Sequence, residues 1–500
     1  MGNNSSESLL SFEELVGAVH GKYVGFSGCS EDFTFTSVAT DSRNVVENTL
    51  FVPLIGENQD GHKYIPEALE KGASAVFITK SVYDVNVKQY MDLVSNHKKI
   101  VFIIVENNLK ALQNVAKFYV TKFPKLIKIG ITGSSGKTTV KELTTSILKQ
   151  KYNVVATEGN FNSETGLPLS VFRIRKAHEV GVFEMGMNRE NEIGEIARVL
   201  KPNYAIITNI GDAHIGILGS RENIATEKRK IFKYIDSDGC AFINKADDYA
   251  SYLAEGVVGS VVYYGSSVSE EESSVKFIKN NGVSGSVFSY EGLEISLKLP
   301  GEYNFQNALA AIALARKLGL SKKQIKAGIE NVVLPSGRSE IVQITTKPDV
   351  NGSRKRIMLF EDCYNANPDA FKKVLNMCSS LETKGRKIFV LGDMLELGDV
   401  SEKAHTEVGE ESVKSGASLI IYVGKEMKFA YDVARTSNFN EALYFEDIND
   451  EEDKTLNQIV NTILDYSQDG DFVLLKASHG LNFSRISKML NVDGGTNEQL

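Results

Sequence analysis

Short apolar runs along this chain are separated by stretches of helical periodicity, a rhythm that predicts three successive α/β sections. Over residues 1–124, the runs 50–54, 75–79 and 100–105 read as strands, with helical patterns near 63–71 and 109–121. From Lys125 the alternation becomes regular. Runs 126–131, 154–157, 180–183 and 204–208 read as buried strands, and Val140, Leu143, Ile147 and Leu148 mark one face of a helix after the first. Such alternation predicts a mostly parallel, doubly wound sheet. Residues 274–299 break it with alternating strands around Asn281-Gly282 and Glu291-Gly292, read as hairpin turns. A helix over about 304–318 follows, and Leu334-Pro335-Ser336-Gly337-Arg338 reads as a domain boundary. Runs 356–361, 387–391 and 472–475 then predict a second, Rossmann-like sheet. Residues 269–272 and 449–453 read as solvated loops. The expected domains are 1–124, 125–337 and 338–500.

Polar residues gather where these strands end, the side on which open α/β sheets bind ligands. The strand at 126–131 runs into Gly130-Ile131-Thr132-Gly133-Ser134-Ser135-Gly136-Lys137-Thr138-Thr139. Glycines let backbone N–H groups approach an anion, and the helix that begins there adds its positive end. Lys137 would reach outer phosphates and the Thr138 hydroxyl would ligate Mg²⁺. Ile131 stands where the strict pattern has Gly, and the plainer alternative is an ordinary Gly-rich turn. Other strands end at Gly159-Asn160-Phe161-Asn162-Ser163, Glu184-Met185-Gly186-Met187-Asn188 and Asn209-Ile210-Gly211-Asp212-Ala213-His214. Thr138, Asn162, Glu184 and His214 are thus expected to converge on loops at the strand ends. Thr138 and Glu184 offer the oxygen ligands that Mg²⁺ prefers. His214 reads either as a metal ligand or as a structural hydrogen-bonder, and Glu184 has the alternative of a helix cap. Asp41-Ser42-Arg43 reads as a polar-ligand loop or a solvated turn.

Five hundred residues suit about three domains. A net charge of −8 excludes a general nucleic-acid binder, because no basic field exists to hold a polyanion. Cys29, Cys240, Cys363 and Cys378 lie far apart with no CxxC pair, which fits a reducing cytoplasm better than a disulfide framework or a zinc site. No run reaches the roughly eighteen apolar residues of a membrane span. Met1-Gly2-Asn3-Asn4-Ser5-Ser6 formally fits a myristoylation pattern and is read instead as a polar terminus.

At this point six segments resemble the Mur ligases, along nearly the whole chain. They are Thr132-Gly133-Ser134-Ser135-Gly136-Lys137-Thr138-Thr139, Glu184-Met185-Gly186, Asn209 through His214, Glu227-Lys228 before Ile231-Phe232, Asn304-Phe305-Gln306-Asn307-Ala308, and Gly337-Arg338. Within the family, Asn160-Phe161-Asn162, Tyr364-Asn365-Ala366-Asn367-Pro368 and Leu391-Gly392-Asp393-Met394-Leu395-Glu396-Leu397-Gly398 are similar to the member that adds D-alanyl-D-alanine to UDP-N-acetylmuramoyl-tripeptide. The resemblance implies an N-terminal UDP-sugar-binding domain, a central ATP-binding P-loop domain and a C-terminal Rossmann-like domain. It implies an ATP-dependent amide ligase of the cytoplasm that works through an acyl phosphate, releases ADP and phosphate, and makes the pentapeptide precursor of peptidoglycan.

By the same resemblance Gly133, Ser134, Ser135, Gly136, Lys137, Thr138 and Thr139 would hold the ATP phosphates, Asn304 and Asn307 the adenine, and Asp362 the ribose. Arg338 would approach the γ-phosphate. Thr138, Glu184, His214 and Lys228 would hold Mg²⁺, with Lys228 carrying a carbamate made from CO₂. Residues alone would read Lys228 as a solvated helical lysine. Asp41, Ser42, Arg43, Asn162 and Ser163 would bind the UDP-sugar, and Asn365, Asn367, Lys476 and Ser478 the dipeptide. A monomer with no nucleic-acid partner and no membrane insertion is expected. Ser163, Tyr303 and Ser484 depart from the family's usual Asn, His and Glu. A sister ligase or a folylpolyglutamate synthase is the nearest competing reading, and the Tyr364–Pro368 loop speaks against both. A P-loop kinase or GTPase-like switch would lack the third domain.

Overall fold

The apolar runs form strands in four sheets of a computed structural model, which describes residues 8–25, 33–56, 59–97, 99–450, 452–491 and 498–499. The Met1 to Ser6 segment and Cys29 lie outside these. The first sheet holds β1 (Lys22–Gly25), β2 (Ser37–Ala39), β3 (Thr49–Phe51), β4 (Ala73–Thr79) and β5 (Val101–Val105). Their order is β1-β5-β4-β3-β2, with β1 alone antiparallel. The helix Asn108–Thr121 buries Leu112, Val115 and Ala116, and Tyr119 meets Phe172 of the next section at 5.5 Å between rings. One apolar core therefore runs from this sheet into the central one.

The central sheet comprises β6 (Ile127–Thr132), β7 (Val154–Ala156), β8 (Val180–Glu184), β9 (Tyr204–Ile207), β10 (Cys240–Asn244) and β11 (Ser260–Tyr264). All six are parallel, in the order β11-β10-β9-β6-β8-β7. All-parallel sheets are covered on both faces, and every residue of β8 is accordingly buried. The chain leaves β6 toward β7 and β8 on one side and comes back to β9 on the other. That reversal opens a crevice beyond the carboxyl end of β6. There the helix Lys137–Leu148 begins, with Val140, Leu143, Ile147 and Leu148 fully buried as their spacing predicts. Antiparallel β12 (Val275–Asn280), β13 (Ser286–Tyr290) and β14 (Leu293–Leu297) follow. The helix Glu302–Lys317 then packs Ala308 and Ile312 into the same core as Val140 and Leu143, which brings its first turn to the crevice.

The last sheet contains β15 (Glu340–Thr345), β16 (Arg356–Asp362), β17 (Lys387–Gly392), β18 (Leu419–Val423), β19 (Ala442–Phe445), β20 (Phe472–Lys476) and β21 (Glu498–Gln499). Its order is β19-β18-β17-β20-β16-β15-β21, parallel except around β15. The three-domain α/β architecture expected from the sequence is the one observed.

Several local expectations need correction. The strand at 50–54 stops at Phe51, ahead of Pro53, which has no N–H for a ladder. Asn281-Gly282 opens a longer connection through a 3₁₀ turn, Gly282–Ser284, rather than a two-residue hairpin. Residues 269–272 are not a loop: Ser269 accepts from the Glu272 amide and caps the helical turn Glu270–Ser273. Thr138 lies in the first turn of a helix and Glu184 is the last residue of β8, so neither sits on a loop.

Candidate active site

The crevice beyond β6 opens into a cavity of about 910 Å³ lined from both the central and the C-terminal sheets. Ser134, Ser135, Gly136, Lys137, Thr138, Thr139, Asn162, Ser163, Glu184, His214, Asn304 and Asn307 line its central side. Arg338, Asp362, Asn365, Asn367 and Ser478 line the other. Most of the candidate residues from the sequence thus share one space, although they span 345 positions of the chain (134 to 478).

The phosphate loop is braced from β9. The Thr208 hydroxyl donates to the Ser135 carbonyl at 2.6 Å, and Asn209 both accepts from the Ser135 amide at 3.1 Å and donates to its carbonyl at 3.0 Å. Gly133 is required by that approach, since a Cβ there would overlap the Thr208 hydroxyl. Lys137 donates to the Gly133 carbonyl at 2.8 Å, curling over the loop. Burial and the nearby Arg338 cation push its pKa down, while Glu184 opposes the shift.

Glu184 is buried and accepts from Thr138 Oγ1 at 2.8 Å and Asn162 Nδ2 at 2.7 Å. This hydroxyl and carboxylate, beside a loop shaped for phosphate, fit Mg²⁺, which takes few protein oxygens and completes its shell with water and phosphate. No group of three or more His, Cys, Asp or Glu among the described residues forms an all-protein cage. His214 does not meet Glu184 directly. Its Nδ1 bonds Glu396 at 2.8 Å, and its pKa is lowered by burial and by Lys137 and Lys228, against the pull of Glu396. Lys228 is buried in the helix Arg221–Arg229 rather than solvated, and is not among the residues lining the cavity. Burial first, and then the Lys137 ammonium, hold its pKa well below the ordinary lysine value.

At the start of the helix Glu302–Lys317, Asn304 donates to the Pro300 carbonyl at 2.8 Å and Asn307 to Asn304 Oδ1 at 3.1 Å. Tyr303, a departure from the family pattern, donates or accepts with Ser339 Oγ at 3.2 Å across the boundary. The Arg338 guanidinium lies 3.9 Å over the Tyr364 ring, an orienting contact not legible from the motifs alone.

Lys476 does not face the cavity. Its fully buried ammonium pairs with Asp362 at 2.5 Å, because β20 and β16 place the two in register, and sits over the Phe371 ring. It therefore holds Asp362 instead of presenting a cation to a dipeptide. Asn367 is a helix cap, accepting from the Ala370 amide at 2.9 Å, and Ser478 accepts from the Leu395 amide at 3.0 Å. Asp41, Ser42 and Arg43 lie outside this cavity, with Arg43 paired to Asp41 at 2.6 Å and Ser42 donating to Glu67 at 2.8 Å. Sequence reasoning missed Glu396 and Thr208. Glu396 lay inside a quoted segment, but nothing there singled it out.

A phosphate loop on a parallel sheet faces a second Rossmann-like sheet across one cavity, the layout of a nucleotide-using α/β protein, and the chain belongs to the Mur ligase family, a family of ligases. The family's catalytic domain matches residues 34–120, its middle domain 131–315 and its glutamate ligase domain 346–479. The UDP-N-acetylmuramoyl-tripeptide–D-alanyl-D-alanine ligase of Treponema pallidum is 39% identical over 96% of this chain and 99% of that protein. The enzyme of the same name from Bacillus subtilis is 32% identical over 92% of this chain and 94% of its own length. Among solved structures, MurF from Acinetobacter baumannii has a TM-score of 0.77 at 24% identity, covering 96% of this chain and 98% of that one. The MurF ligase of Thermotoga maritima in complex with ADP scores 0.71 at 25% identity, covering 91% and 96%.

Proposed function

We propose that this chain joins D-alanyl-D-alanine to UDP-N-acetylmuramoyl-tripeptide at the expense of ATP, forming a precursor of peptidoglycan. The observation that carries the reading is that the phosphate loop and the Tyr364–Pro368 loop line one cavity, so a phosphorylated carboxylate and an incoming amine can meet there. Near full-length likeness to enzymes of that name supports it. We take residues 1–124, 125–337 and 338–500 as its domains. No helix of the described residues is long and apolar enough to cross a membrane, and we take the chain to work as a monomer in the cytoplasm.

The tripeptide carboxylate attacks the γ-phosphorus of ATP, its new O–P bond replacing the bond to ADP. The dipeptide amine then attacks the acyl carbon, phosphate leaves, and the nitrogen loses a proton. Such chemistry demands alignment and charge neutralisation more than covalent help from the protein. Gly133, Ser134, Ser135, Gly136 and Thr139 cradle the phosphates, with Lys137 and Arg338 balancing their charge. Asn304 and Asn307 take the adenine, and Asp362, steadied by Lys476, the ribose. Thr138 and Glu184, with His214, would hold Mg²⁺, which when bound shields the phosphates from the attacking carboxylate. Asp41, Ser42, Arg43, Asn162 and Ser163 take the UDP-sugar, and Asn365, Asn367 and Ser478 flank the dipeptide. Lys228, a buried amine, carries a carbamate formed with CO₂ and one proton lost.

Phosphate release from ATP tests the reading, with the tripeptide substrate and the dipeptide each left out in turn. Sustained release is expected only with all three present. Release that ignores the dipeptide, or that needs a single amino acid instead, would point to a different ligase or an ATPase.

A further inference from the structure

We propose that Glu396 is a positioning residue, reaching from the C-terminal sheet to fix the His214 ring, so that the phosphate side of the site is complete only when the two halves touch. This rests on the ligase reading above. Glu396 Oε2 lies 2.8 Å from His214 Nδ1; the histidine side chain is 16% exposed and the carboxylate 49%. With Nδ1 engaged, Nε2 is the ring nitrogen left for the phosphate side, the way a carboxylate commonly orients a working histidine.

Four features set the pair apart from an ordinary surface ion pair, which contributes about 0–1 kcal/mol. Both partners hold left-handed backbone, φ 66° at His214 and 65° at Glu396, a strain that persists only where the surroundings impose it. Two residues beyond each, Gly216 and Gly398 meet backbone to backbone, and a Cβ on Gly216 would lie 2.6 Å from the Gly398 nitrogen. The arm that carries Glu396 is pinned beneath: the Met394 amide donates to buried His405 Nε2 at 3.0 Å and the Leu395 amide to Ser478 Oγ at 3.0 Å. Asp393, in turn, accepts from the Met427 amide at 2.8 Å. A rigid arm thus delivers one carboxylate to one ring across the domain boundary.

Full-length Glu396→Ala, Glu396→Gln and Gly216→Ala test it by steady-state kinetics and by ¹⁵N-histidine NMR. The His214 signal is identified by its loss in His214→Gln. Glu396→Ala is expected to lower kcat about 10–100-fold, with KM for ATP changed by less than about twofold. Its His214 ring should leave the Nδ1–H tautomer. Glu396→Gln, whose amide oxygen still accepts from Nδ1–H, should restore both readouts. Gly216→Ala keeps every side chain of the pair but wedges the loops apart, and should reproduce the loss even if Glu396→Ala folds poorly. Wild-type kcat in Glu396→Ala, or an unchanged His214 tautomer, overturns the proposal while leaving the ligase reading intact. An inactive wild type would sink the ligase reading instead, and the ring spectrum would still decide the role of Glu396.

Discussion

Lys137→Ala is expected to abolish amide formation in a protein that stays folded. The side chain makes two contacts, both to carbonyls of its own loop at 2.8 and 3.4 Å, and lines the cavity rather than the core. Alanine is a strong helix former in the first helical position, so little stability is at stake. What disappears is an ammonium poised over the phosphate cradle, in surroundings that hold it poorly solvated. Loss of a single preorganised charge-stabilising donor costs on the order of 10²–10³ in kcat. A lysine that spans the transferred phosphoryl should reach at least the upper end of that range. Phosphate release, read beside a thermal unfolding curve, checks both halves. A folded variant with normal turnover would remove the ATP site from this loop.

The second large effect is expected at Lys228. An ammonium buried beside another cation is held as a neutral amine far more readily than an exposed one. In the proposed carbamate, the neutral amine would capture CO₂ with loss of a proton and exchange a disfavoured positive charge for a carboxylate near Lys137 and His214, whose pKa the lysine's charge helps to lower. Lys228→Ala should be nearly inactive, falling by about 10²–10³ in kcat. A small carboxylic acid in the buffer should restore part of the loss by occupying the vacated space. ¹³C-labelled bicarbonate should give a carbamate signal in the wild type that the variant lacks. A full-rate variant, or an active wild type prepared free of CO₂, would end the idea.

Much of this site was legible because its parts sit at strand ends, and strand ends follow from apolar runs. Glu184 was singled out by following β8 to its last residue, and His214 by following the segment that leaves β9. Residues whose meaning depends on partners far along the chain were not legible. Lys476 read as a free cation at a strand end, yet its strand aligns it with Asp362, 114 residues earlier, and the pair neutralises itself. Glu396 looked like one acid among many because its significance lies in His214, 182 residues away. Asn367 lines the cavity but also caps a helix, a second task that its motif alone did not reveal. The acidic run at 270–272 shows the opposite failure: a capping serine and three glutamates suit the start of a helix, and charge alone hid that signal.

The apolar core shared by the first and central sheets has a consequence for how this enzyme comes apart. Leu112, Val115 and Tyr119 on one side and Phe172, Ile193 and Ile196 on the other form one continuous buried cluster. Separating them in water would expose that whole surface, at about 25 cal/mol for each Å². The C-terminal sheet, by contrast, fills both its faces from its own strands and helices, and meets the central section partly through Ile215, Val283 and Tyr303. The chain therefore has three domains but two units of unfolding. A protease or a rising temperature should detach the last third as an intact piece, while the first two-thirds melt together.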